Sequence, residues 1–176
     1  MKALRVALGA VAVFGCRGGG ADSAAPRPQE TVLAATGWLP LPLAEDPWAA
    51  ERPEGVECLP VGYDVEGDFF EVETDYCPWG VFAQEVQASV DEGEVIRFVF
   101  WHSELWAREP AEGRVEVQVA GETVWAVRRA IPGPDRVDEL ELASPVALAP
   151  GDRAALLVTN HGLNAWRVGS WTVGGR

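Results

Sequence analysis

The chain has 176 residues, 48% of them hydrophobic, which is enough for one domain with a buried core. Its formal net charge of -13 excludes the basic surface that a nucleic-acid partner requires, because such binding depends on lysine and arginine neutralising phosphates. Lys2 is the single lysine and lies in the N-terminal segment, so a lysine nucleophile in the folded domain is excluded as well.

The N-terminus carries the pattern of an export signal. Lys2 and Arg5 precede an apolar run from Val6 to Phe14. The run is too short for a membrane-spanning helix, which needs about 20 residues, but it suits the hydrophobic region of a signal peptide. The sequence therefore predicts export from the cytoplasm.

The tetrapeptide VFGC overlaps the end of this run and closes at Cys16. It resembles the lipobox of bacterial lipoproteins, in which a small residue precedes a cysteine that is acylated and becomes the new N-terminus. The resemblance implies a signal peptide over residues 1–15, lipidation of Cys16 and attachment to a membrane through acyl chains. Because Arg17 follows the cysteine, it also implies a place in the cell envelope at the outer membrane. The alternative is an ordinary secretory signal that is cut elsewhere.

Composition divides the remainder into a tether and a folded domain. Residues 16–37 are rich in glycine, alanine, serine and proline and contain no aromatic residue, which predicts a flexible, lipid-anchored tether. All eight tryptophans lie at or beyond Trp38, so the domain is predicted to span residues 38–176. Four prolines in its first part, residues 38–55, favour an extended arm packed on the domain, and the pair Asp46 and Pro47 predicts a single helical turn within that arm.

The two cysteines of the domain, Cys58 and Cys77, are predicted to form a disulfide. Oxidising compartments favour such bonds in exported proteins, and two cysteines allow a single intramolecular connectivity. A metal site built on thiolates is the alternative, but the pair lacks CxxC spacing.

Beyond Cys58 the hydrophobic pattern has a period of two. In FFEVET, for example, Phe70 and Val72 share one face while Glu71 and Glu73 share the other, which is typical of a strand with a solvated outer side. Short runs of this kind, separated by turn sequences, predict an all-β fold, an antiparallel, jelly-roll-like β-sandwich of about eight or nine strands. The later runs are EVQASV (85–90), EVIRFVFWH (94–102), RVEVQVA (114–120), ETVWAVR (122–128), VDELELA (137–143), RAALLVTN (153–160) and AWRVGSWTV (165–173).

The last two runs are joined by NHGLN, which fits a hairpin turn because asparagine and glycine tolerate positive φ. His161 at the tip of this turn is not explained by backbone geometry, and Asn164 lies beside it. A second loop, SELWAREP, follows the strand that ends at His102 and carries Trp106. These two loops contain the candidate ligand-binding residues Trp106, His161 and Asn164, with Trp106 expected to be exposed.

The same loops offer an alternative metal site. His102, Glu104 and His161 supply nitrogen and oxygen ligands suited to zinc or copper, provided that the two loops meet in space. The histidines show neither HxH nor HExxH spacing, and each one also fits a role as an isolated polar residue satisfied by the backbone. No other cofactor is predicted.

Tryptophan placement favours recognition over catalysis. Exposed indole rings suit stacking on the apolar faces of sugars, and on the strand 94–102 both faces are largely apolar, apart from Arg97. No GxSxG elbow, HExxH motif or glycine-rich phosphate loop is present. The leading hypothesis is an envelope lipoprotein whose sandwich recognises a glycan or another surface polymer without catalysis. The alternatives are the metal-binding protein and a structural lipoprotein that docks an envelope protein.

Overall fold

The computed structural model describes residues 27–160 and 162–175. Within these residues, twelve strands form two antiparallel sheets that pack face to face. The strands are β1 (Glu30–Leu33), β2 (Leu39–Pro40), β3 (Tyr63–Glu66), β4 (Phe69–Glu73), β5 (Trp79–Glu85), β6 (Val95–His102), β7 (Ala111–Val119), β8 (Glu122–Ile131), β9 (Arg136–Ala143), β10 (Arg153–Thr159), β11 (Ala165–Gly169) and β12 (Trp171–Val173). Short 3-10 turns occupy Ala35–Gly37, Leu43–Glu45 and Pro60–Gly62.

The predicted antiparallel β-sandwich is confirmed. The seven-stranded sheet has β6 near its centre, with β9 on one side and β11 and β12 end to end on the other. On their far side, β11 pairs with β4, which pairs with β3, and β12 pairs with β1. The five-stranded sheet has the order β2-β5-β10-β7-β8. The strand number exceeds the predicted eight or nine because several strands have only two to four residues, which is too short for a hydrophobic repeat to reveal them.

Aromatic rings fill the core between the sheets. The even-numbered residues 96 to 102 of β6 are buried, whereas the odd-numbered ones are partly exposed on the outer side. Trp171 stacks on Phe98 with ring centroids 4.2 Å apart, and Trp166 stacks on Phe100 at 5.9 Å. Such ring pairs stabilise the fold by about 0.5–1.5 kcal/mol beyond the burial of their area.

The folded part begins earlier than the predicted boundary at residue 38. Residues 30–33, which composition places in the tether, form β1 along β12, and Val32 and Leu33 are buried. The side-chain amide of Gln84 then accepts the N–H of Ala34 at 3.0 Å and donates to its carbonyl at 3.0 Å. Two aliphatic side chains and these hydrogen bonds suffice to dock a segment that has no aromatic residue.

Two predicted strands differ from the structure. The run 85–90 is not a strand, because the chain leaves β5 after Glu85 and the N–H of Val86 bonds to the carbonyl of Asp152 instead. The run 165–173 is interrupted at Ser170, whose hydroxyl accepts the N–H of Ala35 at 2.9 Å.

The predicted hairpin between the last two runs is wrong. Strand β10 lies in the five-stranded sheet and β11 in the seven-stranded sheet, so the connection crosses from one sheet to the other. Two strands that follow each other closely in sequence need not pair, and their periodicity does not distinguish the two outcomes.

The predicted disulfide between Cys58 and Cys77 is present and joins the chain just beyond the arm to the segment before β5. Among the described residues, the structure contains no helix with the length and apolar character needed to cross a membrane. Cys16 and the predicted signal peptide lie outside the described residues.

The arm covers the outer face of the five-stranded sheet. Trp48 is buried there against Trp79, Val81, Ala155 and Leu157. In place of the predicted helical turn, the chain makes hydrogen-bonded turns beyond Asp46, whose carboxylate accepts the N–H of Trp48 at 2.7 Å and the indole N–H of Trp79 at 3.2 Å. The arm therefore caps apolar side chains that a sandwich of two bare sheets would expose.

Candidate ligand-binding face

The outer face of the seven-stranded sheet also carries apolar side chains, and these remain partly exposed. Trp101 and Val99 point outward from β6, and Phe69 points outward from β4. Between the two strands lies Gly169 of β11, which pairs with Phe69 in the register. The indole of Trp101 and the ring of Phe69 have centroids 6.2 Å apart, so the strands bring distant residues into one aromatic surface.

A depression of about 800 Å³ lies on this face. Phe69, Val99 and Gly169 contribute to its apolar part. A Cβ atom at Gly169 would lie 3.1 Å from the carbonyl oxygen of Val99 and 3.4 Å from the Phe69 ring, so glycine keeps the space above the strand open. The polar residues that line the depression are Gln29, Asp68, Arg97, Glu139, Glu141, Ser170 and Thr172.

Trp101 is held in place by Arg167 of β11. The guanidinium carbon lies 4.1 Å from the centroid of the indole, which is a cation–π contact. Arg167 is fixed in turn by Glu71 of β4, with Nε 2.7 Å from a carboxylate oxygen, and by Glu66 of β3 at 3.0 Å. The aromatic surface is thus supported by ion pairs and needs little ordering to bind a ligand.

Glu71 is 8% exposed and therefore does not form the solvated outer side predicted from its strand pattern. Burial, together with a hydrogen bond to Glu66, raises the pKa of Glu71 to about 7, although Arg167 acts in the opposite direction. The pKa of Glu66 is lowered by the hydrogen bond with Glu71 and by Arg167. The two carboxyl groups thus hold a shared proton below neutral pH, which satisfies Arg167 with a single negative charge.

The charged residues around the depression differ in how they are paired. Arg97 contacts Glu141 at 3.1 Å and donates to the carbonyl of Gly174 at 3.0 Å. Glu139 and Asp68 are exposed, and neither has an ion-pair partner among residues 27–160 and 162–175. The depression therefore offers an apolar floor with carboxylates available at its rim.

Two of the predicted ligand-binding residues, Trp106 and Asn164, lie elsewhere, at one end of the sandwich. Trp106 is 49% exposed, as predicted, and Leu163 beside it is also exposed; both line a depression of about 680 Å³. Asn164 is only 4% exposed. Its side-chain oxygen accepts the N–H of Trp106 at 2.6 Å and its amide donates to the Trp106 carbonyl at 3.1 Å, so Asn164 holds the loop instead of facing a ligand. His161 lies outside the described residues.

The two described residues of the alternative metal site, His102 and Glu104, point to different surroundings. His102 is 1% exposed and points into the core, with Nδ1 2.9 Å from the carbonyl oxygen of Ser103, whereas Glu104 is exposed on the loop that follows. Within the described part of the chain, no group of three or more histidine, cysteine, aspartate or glutamate side chains is arranged to hold a metal ion. The pairing of His102 with His161 stays a prediction.

Sequence reasoning missed Phe69, Arg167 and Gly169 as parts of this face. One signal was present, since the strand 94–102 is apolar on both sides, which is unexpected for a sheet with one solvated face. Finding the rest required knowledge of the strands that neighbour β6.

Neither a protein-family model nor a curated protein matches this sequence. Among solved structures, the chain is similar to TmCBM27, a carbohydrate-binding module studied for mannan recognition, with 6% identity and a TM-score of 0.49 over 86% of this chain and 98% of the other. It is also similar to a family 29 carbohydrate-binding module, with 14% identity and a TM-score of 0.41 over 83% and 87%, and to a CBM4 structure, with 13% and 0.40 over 64% and 88%. The likeness does not extend beyond a β-sandwich fold.

Proposed function

We propose that the protein is a noncatalytic recognition module that binds a saccharide on the outer face of its seven-stranded sheet. The observation that carries the proposal is the open apolar surface formed by Phe69, Val99 and Trp101, of which Phe69 and Val99 line the depression at Gly169 and Trp101 contacts the ring of Phe69. The comparable apolar face of the other sheet is covered by the arm. An apolar surface left open on a folded domain marks a site of interaction.

Sugars fit the chemistry of this surface. The C–H faces of a pyranose ring are apolar and stack on a rigid aromatic side chain, while its hydroxyls need donors and acceptors nearby. Arg97 and Glu139 at the rim supply both kinds of group. A depression beside the arm is larger, about 1000 Å³, but none of the described residues that line it is aromatic, so it lacks the stacking surface.

The exposed Trp106 is proposed as an accessory contact for long polymers. Its backbone is held by Asn164, so its indole is presented without further ordering of the loop. A second contact raises the affinity for a polymer that spans both positions. Trp106→Ala is expected to weaken binding of a polysaccharide and to leave binding of a short oligosaccharide unchanged. If the variant binds the polysaccharide as tightly as the wild-type protein does, Trp106 is not part of the binding site.

The proposal also places the domain in the cell envelope, anchored through Cys16. The VFGC motif supports this position, and the Cys58–Cys77 disulfide suits an oxidising compartment. Metabolic labelling with a fatty acid is expected to mark the wild-type chain and not Cys16→Ser. Equal labelling of the two chains would contradict the anchor.

The binding surface is tested by calorimetry against a panel of oligosaccharides and polysaccharides. Phe69→Ala and Trp101→Ala are each expected to weaken binding about tenfold or more, because aromatic anchors dominate the binding energy of such surfaces. Tyr76→Ala is the matched control, since it removes an exposed aromatic ring outside the depression. Failure of the wild-type protein to bind any saccharide in the panel, or unchanged binding by both variants, would overturn the proposal.

A further inference from the structure

We infer that the saccharide bound by this face is an amine-bearing glycan, such as a polymer of amino sugars that carry free amino groups. The inference rests on the proposed function and adds the chemical class of the ligand. It comes from the carboxylates of Asp68 and Glu139, which have no ion-pair partner within the described part of the chain and lie on opposite sides of the apolar floor.

The register places these two carboxylates. Glu139 of β9 pairs with Val99 of β6, whereas Asp68 directly precedes Phe69 at the start of β4. The order β9, β6, β11, β4 separates the backbones of Glu139 and Asp68 by three strand spacings, or about 14 Å at 4.7–4.9 Å each. A short oligosaccharide that lies across the strands on Phe69 and Val99 therefore has a carboxylate near each end.

Two described arginines of this face, Arg97 and Arg167, are both paired with carboxylates. Arg97 is paired with Glu141, and Arg167 is paired with Glu66 and Glu71. Among the described charged residues that line the depression, three carboxylates (Asp68, Glu139 and Glu141) stand against one guanidinium (Arg97), which leaves two negative charges. The whole chain, with these residues included, carries a net charge of -13.

This distribution of charge selects among glycans. Polymers that carry uronate, sulfate or phosphate groups are repelled by the rim and by the acidic protein as a whole. Ammonium groups on a sugar chain form charge-assisted hydrogen bonds with the carboxylates of Asp68 and Glu139 while the ring faces stack on the apolar floor. A neutral sugar stacks on the same apolar floor but forms no charge-assisted hydrogen bonds with Asp68 and Glu139.

The experiment compares matched oligosaccharides of glucosamine and of N-acetylglucosamine, with an oligomer of glucuronic acid as a third ligand, by calorimetry at mildly acidic pH where glucosamine is protonated. The wild-type protein is expected to bind the glucosamine oligomer about tenfold more tightly than the acetylated one at low ionic strength. This preference is expected to shrink as salt is added, because exposed charges are screened beyond a Debye length of about 10 Å at 0.1 M.

The variants separate the local carboxylates from the overall charge. Glu139→Gln and Asp68→Asn are each expected to reduce the preference severalfold, and the double variant is expected to remove it while still binding the acetylated oligomer. Glu122→Gln removes the same charge from an exposed position in the other sheet and is expected to keep the full preference.

The outcomes distinguish the inference from the proposed function. Equal binding of the two oligomers by the wild-type protein, or an unchanged preference in the double variant, would overturn the inference and leave saccharide binding in place. Absence of binding to every saccharide would overturn the proposed function itself. An oligolysine of equal charge that binds as tightly as the glucosamine oligomer would overturn the assignment to a glycan.

Discussion

The imidazole of His102 is packed between Phe100 and Trp166, with ring centroids 5.9 and 5.1 Å away. Burial lowers the pKa of His102, although its hydrogen bond to Ser103 acts in the opposite direction. The folded state thus favours the neutral form of the imidazole. In the unfolded chain the same side chain takes up a proton near its ordinary pKa of about 6.5.

This difference predicts acid destabilisation. Because the unfolded state binds the proton more readily, the free energy of unfolding falls as the pH drops below about 6.5, by up to about 1.4 kcal/mol per pH unit until the folded pKa is reached. His102→Gln keeps an amide that can donate to Ser103 and does not titrate. We expect its urea midpoint, relative to that of the wild type, to rise between neutral pH and about pH 5.

Glu71→Gln provides the comparison of opposite sign. The pKa of Glu71 is raised to about 7, so the folded state holds a proton that the unfolded state releases above its ordinary range. Its contribution makes the wild-type protein more stable as the pH falls from 7 toward 4.5. The urea midpoint of Glu71→Gln is therefore expected to fall relative to that of the wild type on acidification, and parallel pH profiles of all three proteins would contradict both assignments.

Asn164 stabilises the connection between the sheets by bonding to both backbone groups of Trp106. Asn164→Ala leaves an N–H and a carbonyl without these partners, which is expected to lower the free energy of unfolding by about 1–3 kcal/mol. Leu163→Ala, at an exposed neighbour, is expected to change it by less than about 0.5 kcal/mol. Urea unfolding measures both, and equal midpoints for the two variants would show that the amide does not hold the loop.

At the scale of elements, the arm is attached to the five-stranded sheet by the pairing of β2 with β5 and, beyond β2, by the buried side chain of Trp48. Trp48 is buried against Trp79, Val81, Ala155 and Leu157, while other apolar residues of the arm, such as Leu43, are exposed. Trp48→Ala is expected to lower the free energy of unfolding by about 3–5 kcal/mol, the range found for removal of a large buried aromatic ring.

Limited proteolysis distinguishes loss of this attachment from general unfolding. Trp48→Ala is expected to expose the arm to cleavage within residues 38–55 before the rest of the domain is attacked, because the covering segment is released locally. Leu43→Ala is the control from the same arm and is expected to retain the wild-type cleavage pattern. Cleavage spread evenly along the domain of the Trp48→Ala variant would contradict a separate arm.

The predictability of the elements follows their hydrophobic pattern. Strands β6 to β10 agree with the predicted runs, though β7 and β8 extend further, because their side chains alternate between core and outer side. Strand β1 escaped prediction, since its four residues bury two aliphatic side chains at a sheet edge. A strand is predicted from several successive alternations of apolar and polar residues, and four residues contain too few of them.

For the whole molecule, the Cys58–Cys77 bond closes a loop with a sequence separation of 19. In the chain-entropy account, a loop of this size stabilises the fold by about 3 kcal/mol. Addition of a reductant is therefore expected to lower the urea midpoint of the wild-type protein. The double variant Cys58→Ala and Cys77→Ala is expected to show a low midpoint with or without reductant; an unaffected wild-type midpoint would mean that the bond does not contribute to stability.

The residues themselves determined the fold class, the disulfide and the exposure of Trp106. The fold class follows from the local hydrophobic pattern, the disulfide from the presence of a single pair of cysteines in the domain, and the exposure of Trp106 from its place in a polar loop sequence. Only the tertiary structure decided that Phe69 and Val99 flank Gly169, that Glu71 is buried and that the segment after β10 changes sheets. The alternation of a strand reports the side of the sheet on which each residue lies. It carries no information on which strand lies beside it, and the candidate face, which spans four strands, depends on those long-range pairings.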